Sequence, residues 1–391
     1  MLCRTTRHPL GALALTLVLA LAPGRASAHD ASAWGGLFRT RDAGASWLHV
    51  NPASFVSGAL ALAVSRADPH HLLLATDTGV ARSRNGGRDW VIEAPDVLVG
   101  PAFAAAFDVD GDRALVSSAS AIFRGDGDRW RRLRSPAGSA PARALVSGSI
   151  RGRVYLAGRT GLYRSDDWGQ SWVSIGGALQ AEHVSVVVVP RGHPDEVYAV
   201  AGGRAWVSTD AGRSWQLRVD GLPRGSIEAV AVDPLDTNRL WSVVRDQVFR
   251  SDDQGRRWSP VGEPVPERPV AARGLAVMDH VILMATDRGV YRSPDDGGRW
   301  TLTGDTLPAH LPAGLLVRDP QAPATVYAGF APTSPEELSR RAAEGGGALG
   351  RMAPGALAGG LVLLALLLLV AGAVVRRLAR TDHPATPSVP R

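Results

Sequence analysis

The stretch Ser251-Asp252-Asp253-Gln254-Gly255-Arg256-Arg257-Trp258 contains the pattern that decides the fold: a hydroxyl residue, an acid, a glycine and a closing tryptophan. We call this segment the box. Six other segments align with it, and the seven boxes are residues 40–47, 83–90, 124–130, 165–172, 208–215, 251–258 and 293–300. Their tryptophans are separated by 43, 40, 42, 43, 43 and 42 residues, which identifies a tandem repeat with a period near 42.

Each repeat contains short apolar runs before its box, and the order is clearest in residues 227–258. An alternating run at 227–232 ends at Asp233-Pro234, a second run covers 240–244, and residues 248–250 lead into the box. Alternation with a period of two, broken by Gly, Asp and Pro, is typical of short antiparallel strands. A unit of about 42 residues with four strands predicts a β-propeller blade.

The ends of the repeat region predict how the ring closes. Only one strand-like run, residues 37–39, precedes the first box, and two runs without a box, 315–320 and 325–329, follow the seventh. Two strands from each end would complete one blade. The fold prediction is therefore an all-β, seven-bladed propeller over residues 29–330, closed by two N-terminal and two C-terminal strands.

The box residues themselves are predicted to be structural. Asp or Asn can accept backbone hydrogen bonds in a turn, Gly can take a positive φ, and Trp fills apolar space. We therefore expect the box to hold the hairpin between the third and fourth strands of each blade, without binding a ligand. Each box has an Asp, or in one case an Asn, and ends in a Trp. These residues are Asp42, Trp47, Asn85, Trp90, Asp126, Trp130, Asp167, Trp172, Asp210, Trp215, Asp253, Trp258, Asp295 and Trp300.

The segments outside the repeats predict an exported, membrane-anchored protein. Residues 1–28 read as a signal peptide, with a basic start, an apolar run and a small-residue cleavage site. Residues 353–375 are apolar and uncharged, and 23 residues are long enough for a transmembrane helix. Between ring and anchor, 331–352 is predicted to be a linker with a short helix, and 376–391 a cytoplasmic tail. The propeller would then lie outside the cytoplasm, on the periplasmic side of a Gram-negative cell.

The charge distribution argues against a nucleic-acid partner. The chain has 43 basic and 37 acidic residues, but residues 29–375 contain 36 of each. A nucleic-acid-binding protein needs a net basic face to displace phosphate counterions. The one cysteine, Cys3, lies in the predicted signal peptide, so no disulfide is expected in the ring. The partners that remain are the membrane and a protein or membrane complex, and the oligomeric state stays open.

The boxes resemble the Asp-box, or bacterial neuraminidase repeat, with the pattern Ser/Thr-x-Asp-x-Gly-x-x-Trp. Five boxes match it fully, the second has Asn85, and the third lacks the hydroxyl residue and one position. The stretches 161–167 and 289–293 are similar to the photosystem II assembly/stability factor-like group, and the resemblance covers about 34–330. It implies the fold more than the function, because sialidases, sortilin-type receptors and assembly factors share the motif.

The resemblance also raises an enzymatic alternative, a sialidase-like exo-glycosidase. Such an enzyme needs a tyrosine nucleophile backed by Glu, an Asp acid/base and three Arg that converge on the substrate carboxylate. All five tyrosines occupy positions that the repeat already explains: Tyr155, Tyr163, Tyr198, Tyr291 and Tyr327. We therefore favour a non-catalytic scaffold that binds a protein, as an assembly factor does, with the glycosidase as the alternative and a purely structural spacer as a third possibility.

Candidate binding residues are expected where loops lead into the innermost strands, because these loops converge around the central channel. The polar residues there are Arg143, Glu182, His183, Glu228 and Arg273. No cofactor or catalytic residue is predicted.

Two weaker patterns resemble metal sites, but no metal site is predicted from either of them. Asp108, Asp110 and Asp112 have the composition of a calcium loop but also that of an ordinary Asp-Gly turn, and the spacing favours the turn. His29 would be the first residue after cleavage and could bind copper through its amine and imidazole.

Overall fold

A computed structural model describes residues 35–50, 58–179, 182–266, 269–304, 306–308 and 311–343. The predicted signal peptide, transmembrane helix and cytoplasmic tail lie outside these residues, as does His29. Within the described part of the chain, no helix is long and apolar enough to cross a membrane. The chain divides into two units, 1–335 and 336–391.

The first unit is a ring of seven four-stranded antiparallel sheets, which confirms the predicted seven-bladed propeller. We number the blades by their boxes. Blades 2, 3 and 4 contain β3 (Ala59–Val64), β4 (Leu72–Thr76), β5 (Val80–Ser83), β6 (Val91–Ile92), β7 (Ala102–Phe107), β8 (Arg113–Ser118), β9 (Ile122–Asp126), β10 (Arg129–Arg132), β11 (Ala144–Ser147), β12 (Val154–Ala157), β13 (Leu162–Ser165) and β14 (Val173–Ser174).

Blades 5, 6 and 7 follow the same order from the innermost strand to the rim. They contain β15 (Val184–Val188), β16 (Val197–Ala201), β17 (Arg204–Ser208), β18 (Gln216–Leu217), β19 (Ile227–Val232), β20 (Leu240–Val244), β21 (Gln247–Ser251), β22 (Ser259–Val261), β23 (Ala272–Val277), β24 (Ile282–Thr286), β25 (Gly289–Ser293) and β26 (Thr301–Leu302). A 3₁₀ turn at Gly177–Leu179 precedes β15.

Blade 1 closes the ring with strands from both ends of the repeat region. Its strands are β1 (Gly36–Thr40), β2 (Leu48–His49), β27 (Ala313–Arg318) and β28 (Val326–Phe330). They lie in the order β2-β1-β28-β27, the two-plus-two closure that the sequence predicts. Each innermost strand contacts the innermost strand of the next blade, and β27 contacts β3, so the circle is complete. Beyond the ring, helix α1 covers Pro335–Ala343.

The apolar core lies between neighbouring blades, because a sheet can bury its faces only against another layer. Trp241 and Val243 of blade 6 form one buried cluster with Ile282, Met284 and Tyr291 of blade 7. An equivalent cluster joins blades 1 and 2. Each blade therefore depends on both of its neighbours.

Side-chain hydrogen bonds define the box turn, as in blade 5. The Ser208 hydroxyl donates to Asp210 Oδ1 at 2.7 Å and accepts from the Gly212 N–H at 2.7 Å. Asp210 also accepts from the Ser214 N–H at 2.8 Å and the Ser214 hydroxyl at 2.6 Å. The bonds from the Ser214 hydroxyl and N–H lower the pKa of Asp210 to about 2, so the carboxylate stays ionised at neutral pH.

The fourth residue of the box links three parts of the ring. In blade 5 this residue, Ala211, has a left-handed backbone with φ of 58°. Its N–H donates to the Asp195 carbonyl, in the turn between the first two strands of its own blade, at 2.7 Å. Its carbonyl accepts from Arg164 of blade 4 at 2.7 Å. The same inter-blade bond joins Arg39 to Gly86 and, between the last and first boxes, Arg292 to Ala43.

The box tryptophan makes a second inter-blade hydrogen bond. Trp215 Nε1 of blade 5 donates to the Ile175 carbonyl of blade 4 at 2.7 Å. Trp90 and Trp258 donate in the same way to a carbonyl of the preceding blade, at 2.9 and 3.2 Å. The box thus connects neighbouring blades in addition to shaping the hairpin to which sequence analysis assigned it.

The shortened third box replaces these links with a buried charge cluster. Arg82 of blade 2 donates to Glu93 at 2.5 Å and lies 2.7 Å from His71 Nε2. Trp130 of blade 3 donates to Glu93 at 2.7 Å. Glu93 lies three residues after Trp90, as Ile175 lies three after Trp172, so a side-chain carboxylate takes the place of the usual backbone carbonyl.

We expect Gly212→Ala to destabilise the ring. Gly212 has φ of 89°, and a Cβ there would lie 2.5 Å from the Ile175 side chain of blade 4. Backbone strain and the clash together should cost about 1–3 kcal/mol. Thermal unfolding measures the effect. The matched control is Gly192→Ala, since Gly192 has φ of 78° but no atom within 4 Å of its Cβ position. An equal loss in both variants would contradict packing against blade 4.

We expect the ring to lose stability as the pH falls from about 6.5 to about 4. Burial and the charges of Arg82 and Arg84 lower the pKa of His71 from 6.5 to about 4, opposed by Asp68 and Glu93. Between these values the unfolded chain binds the proton and the folded chain does not. His71 therefore contributes stability above pH 6.5 that is lost towards pH 4, up to about 3 kcal/mol.

Chemical denaturation at several pH values measures this dependence. His71→Gln keeps an acceptor for Arg82 without a titrating ring, and it should show a flatter profile between pH 6.5 and 4. Identical profiles for the wild type and His71→Gln would contradict the assignment.

Candidate functional site

The seven innermost strands surround a central channel with two chemically different openings. The start face is the side where the innermost strands begin. The box face is the opposite side, where they end, because box turns and the turns between first and second strands lie together there. The residues named from the sequence lie towards the start face.

A β-bulge marks the beginning of the innermost strand in six blades. In blade 6 the register shifts between Ile227 and Ala229, which leaves Glu228 without a partner on β20. In blade 7 the register shifts between Ala272 and Gly274, and Arg273 is the extra residue of that bulge. A bulge redirects the side chain of its extra residue. Two of the five candidate residues are therefore bulge residues, a feature that the alternating pattern does not reveal.

Glu228 lies in an acidic pocket of about 590 Å³ on the start face. Its carboxylate accepts from the Ala272 N–H of blade 7 at 2.6 Å. Arg245, Asp246 and Asp287 line the same pocket, with Pro269, Val270 and Ala271. Burial raises the pKa of Glu228, with smaller contributions from Asp287 and Asp246, against the effect of the Ala272 hydrogen bond. Asp246 and Asp287 were not identified from the sequence.

The other four candidates do not line this pocket. Glu182 pairs with Arg204 at 3.3 Å, and the Arg204 guanidinium lies 5.6 Å from the centre of the Trp206 ring. The His183 carbonyl accepts from Gly202, and the Arg143 N–H donates to Ala157, so these residues shape the loops that lead into β15 and β11. Of the five predicted residues, only Glu228 lines this pocket.

A basic cavity on the box face was missed by the sequence analysis. It measures about 300 Å³ and is lined by three arginines, Arg66, Arg191 and Arg318, with Asp233 at its edge. Five valines at or just after the ends of innermost strands, three prolines and one threonine complete the lining: Val64, Val188, Val189, Val232, Val317, Pro190, Pro234, Pro320 and Thr237. These residues come from blades 1, 2, 5 and 6, so the cavity is the opening of the channel. We call it the arginine mouth.

The arginine mouth concentrates positive charge. Burial and then the charge of Arg191 lower the pKa of Arg66. The same two causes lower the pKa of Arg318, although Asp233 and Asp319 act in the opposite direction. Like charges held together in a cleft favour the binding of an anion, which relieves their repulsion.

Backbone contacts fix Arg66 across the opening. Its guanidinium donates to the carbonyls of Gly148 and Ser147 in blade 4, at 3.1 and 3.2 Å. Its own carbonyl accepts from the Gln321 side chain of blade 1 at 2.6 Å. Arg66 therefore joins three blades, whereas Arg191 is exposed and Arg318 is half-buried.

Neither opening contains the tyrosine that a sialidase-like mechanism requires. Tyr155, Tyr198, Tyr291 and Tyr327 are buried between the blades, and none of the five tyrosines lines the acidic pocket or the arginine mouth. The three arginines of the mouth can hold an anion through charge-assisted hydrogen bonds.

Two of the three carboxylates considered for calcium pair with different arginines. Asp108 is buried and pairs with Arg113 at 2.6 Å, while Asp110 pairs with Arg151 at 2.8 Å. Among the described residues, no group of three or more His, Cys, Asp or Glu is placed to hold a metal ion.

Comparison with known proteins places the chain among propellers of similar shape. No model of a known protein family matches the chain, and no curated protein matches it. YCF48 from Cyanidioschyzon merolae is similar, with 16% identity, a TM-score of 0.54 and coverage of 71% of this chain and 96% of that one. A structure of YCF48 bound to D1 peptide gives the same identity and TM-score.

A hydrolase is similar as well. The GH74 xyloglucanase from Xanthomonas campestris has 22% identity and a TM-score of 0.60, over 73% of this chain. The match covers 53% of the xyloglucanase, so this chain spans about half of that enzyme. Identities this low establish the fold alone, which is that of a β-propeller.

Proposed function

We propose that this chain is a non-catalytic docking propeller that binds an anionic segment of a partner protein at the arginine mouth. The proposal includes export and anchoring through residues 1–28 and 353–375, so that the ring works outside the cytoplasm. The observation that carries it is the convergence of Arg66, Arg191 and Arg318 on one cavity at the end of the channel.

The shape and chemistry of the mouth favour a protein segment. A cavity of about 300 Å³ admits one or two side chains, and its valine and proline walls suit the apolar part of a peptide. Arginine binds carboxylates through paired, charge-assisted hydrogen bonds. The similar propeller YCF48 is described as bound to D1 peptide, which supports peptide binding as a use of this fold.

The decisive experiment uses the tagged full chain, crosslinked in cells and extracted from membranes with detergent. We expect the wild type to recover a reproducible partner. Arg191→Ala/Arg318→Ala should recover at least about tenfold less, because each lost charge-assisted bond is worth about 1.5–3 kcal/mol. The matched control is Arg256→Ala/Arg257→Ala, which removes two exposed arginines from a box turn.

Three results would contradict parts of this proposal. Equal recovery from wild type and the mouth variant would remove the arginine mouth as the docking site. A chain absent from the membrane fraction would contradict the anchor. A wild-type chain with no reproducible partner would favour the structural spacer.

A second candidate function, glycoside hydrolysis, is favoured by the acidic pocket. Glycosidases pair a carboxylic acid of raised pKa with a second carboxylate. Glu228 has the raised pKa, and Asp246 and Asp287 line the same pocket. The similarity in fold to the GH74 xyloglucanase adds support.

A panel of fluorogenic glycosides, with sialosides and xyloglucan oligosaccharides, tests the second candidate. If the docking proposal is right, no substrate turns over. Turnover in the wild type that is lost in Glu228→Gln would establish the hydrolase instead. This variant keeps an oxygen that can accept from the Ala272 N–H, so loss of activity would not reflect a broken contact between blades.

A further inference from the structure

The outer edge of blade 3 differs from the edge of every other blade. Its outermost strand, β10, has four residues, whereas the outermost strands of the other six blades have two or three. The cause is the shortened third box. Gly127 and Asp128 alone connect β9 to β10, and Gly127 takes the positive φ of 62° that such a tight turn requires. Pairing therefore starts at once, with Arg129 opposite Asp126.

This edge carries a dense positive charge. Arg129, Arg131, Arg132 and Arg134 are all exposed within six residues. Arg131 lies 3.9 Å from Asp126, while Arg129, Arg132 and Arg134 make no ion pair with any described residue. Residues 29–375 contain equal numbers of acidic and basic side chains, so this strip is a local excess of positive charge, which attracts anions.

The two nearby acids offset the strip only in part, because each also pairs with an arginine outside it. Asp126 also accepts from Arg124 at 2.8 Å. Asp128 lies 3.8 Å from Arg84 of blade 2.

Among the described residues, the outward-facing backbone groups along this edge of β10 have no hydrogen-bond partner. The Leu133 N–H donates to the Ile122 carbonyl at 2.8 Å, which continues the register Arg129↔Asp126 and Arg131↔Arg124. In an antiparallel pair, hydrogen-bonded and non-hydrogen-bonded residues alternate. The odd-numbered residues therefore bond to β9, and Trp130 and Arg132 direct their N–H and C=O groups outward.

We propose that β10 is a second docking edge, where an acidic extended segment of a partner protein adds to blade 3 as a fifth strand. The outward groups of Trp130 and Arg132 would supply main-chain hydrogen bonds, and the arginines would select for Asp and Glu. The same arginines disfavour pairing with a second copy of this edge, because like charges would lie opposite each other. This surface lies at the rim, apart from the arginine mouth, and it stands without the function proposed above.

The test uses a fluorescein-labelled peptide of alternating Glu and Val, with fluorescence anisotropy as the readout and the purified full chain in detergent. We expect saturable binding of this peptide and none of the matching Lys–Val peptide. Arg131→Glu/Arg132→Glu should weaken binding by about tenfold or more, because like charges would then face each other. Arg256→Glu/Arg257→Glu makes the same change in net charge on another blade and should bind as the wild type does.

Two further changes separate strand addition from simple charge attraction. Arg132→Pro removes an outward N–H without removing a bond to β9, so it should bind more weakly than Arg132→Ala, with unfolding temperatures compared as the folding control. A Glu–Val peptide N-methylated at alternate residues keeps its charge but cannot form the edge bonds, and it should fail to bind the wild type.

Equal binding of the methylated and unmethylated peptides, or of the two Arg132 variants, would overturn the proposal. So would binding to phosphatidylglycerol vesicles without binding to the peptide, which would assign the strip to a membrane surface. The mouth variant Arg191→Ala/Arg318→Ala should still bind the peptide. This variant therefore tests the β10 edge independently of the arginine mouth.

Discussion

The ring depends on the peptide group of the fourth box residue. In the six full-length boxes its N–H bonds to the turn between the first two strands of its own blade, and in blades 1, 2 and 5 its carbonyl also accepts from an arginine of the preceding blade, as Ala211 does with Asp195 and Arg164. A single residue with a left-handed backbone conformation therefore orients the box turn against two sheets. The bond from Arg292 to Ala43 repeats this contact across the closure, between residues 249 apart in sequence. Since the only cysteine is Cys3, closure without a disulfide relies on such contacts and on the apolar clusters between blades.

The fold could be predicted because its determinants are local and repeated. Alternating runs, Asp-Pro turns and the Gly and Trp of each box fix strands and hairpins within about 42 residues, and the spacing of the tryptophans fixes their number. The links between blades could not be predicted in this way. The fourth box position varies among Ala, Gly, Trp, Gln and Asp, so the pattern conceals a backbone conformation that all six full-length boxes share. The arginine that bonds to it lies 47 residues away, in the preceding repeat.

The candidate site was predicted in part, for a related reason. Glu228 was found because it lies where a loop enters an innermost strand, and the structure places it in a pocket there. Sequence analysis missed Arg66, Arg191 and Arg318. Each lies in or beside a turn that, within its own repeat, looks like any other connection between two strands. Only ring closure brings blades 1, 2, 5 and 6 around one opening. An arginine at or just after the end of an innermost strand is the signal that would have identified them.

Neutral composition concealed a separation of charge. Residues 29–375 contain equal numbers of acids and bases, yet carboxylates line a pocket on the start face and arginines line the mouth on the box face. A cyclic repeat favours this outcome, because every blade presents its loops of one kind to the same side. Charged side chains at equivalent positions in distant repeats therefore come together around the channel axis. The narrow channel concentrates their electrostatic field. Substitutions in a single repeat, such as the shortened third box, instead change the rim at one blade. The repeat thus gives the chain two independent places to vary, the axis and the rim, while the box contacts keep the sheets in register.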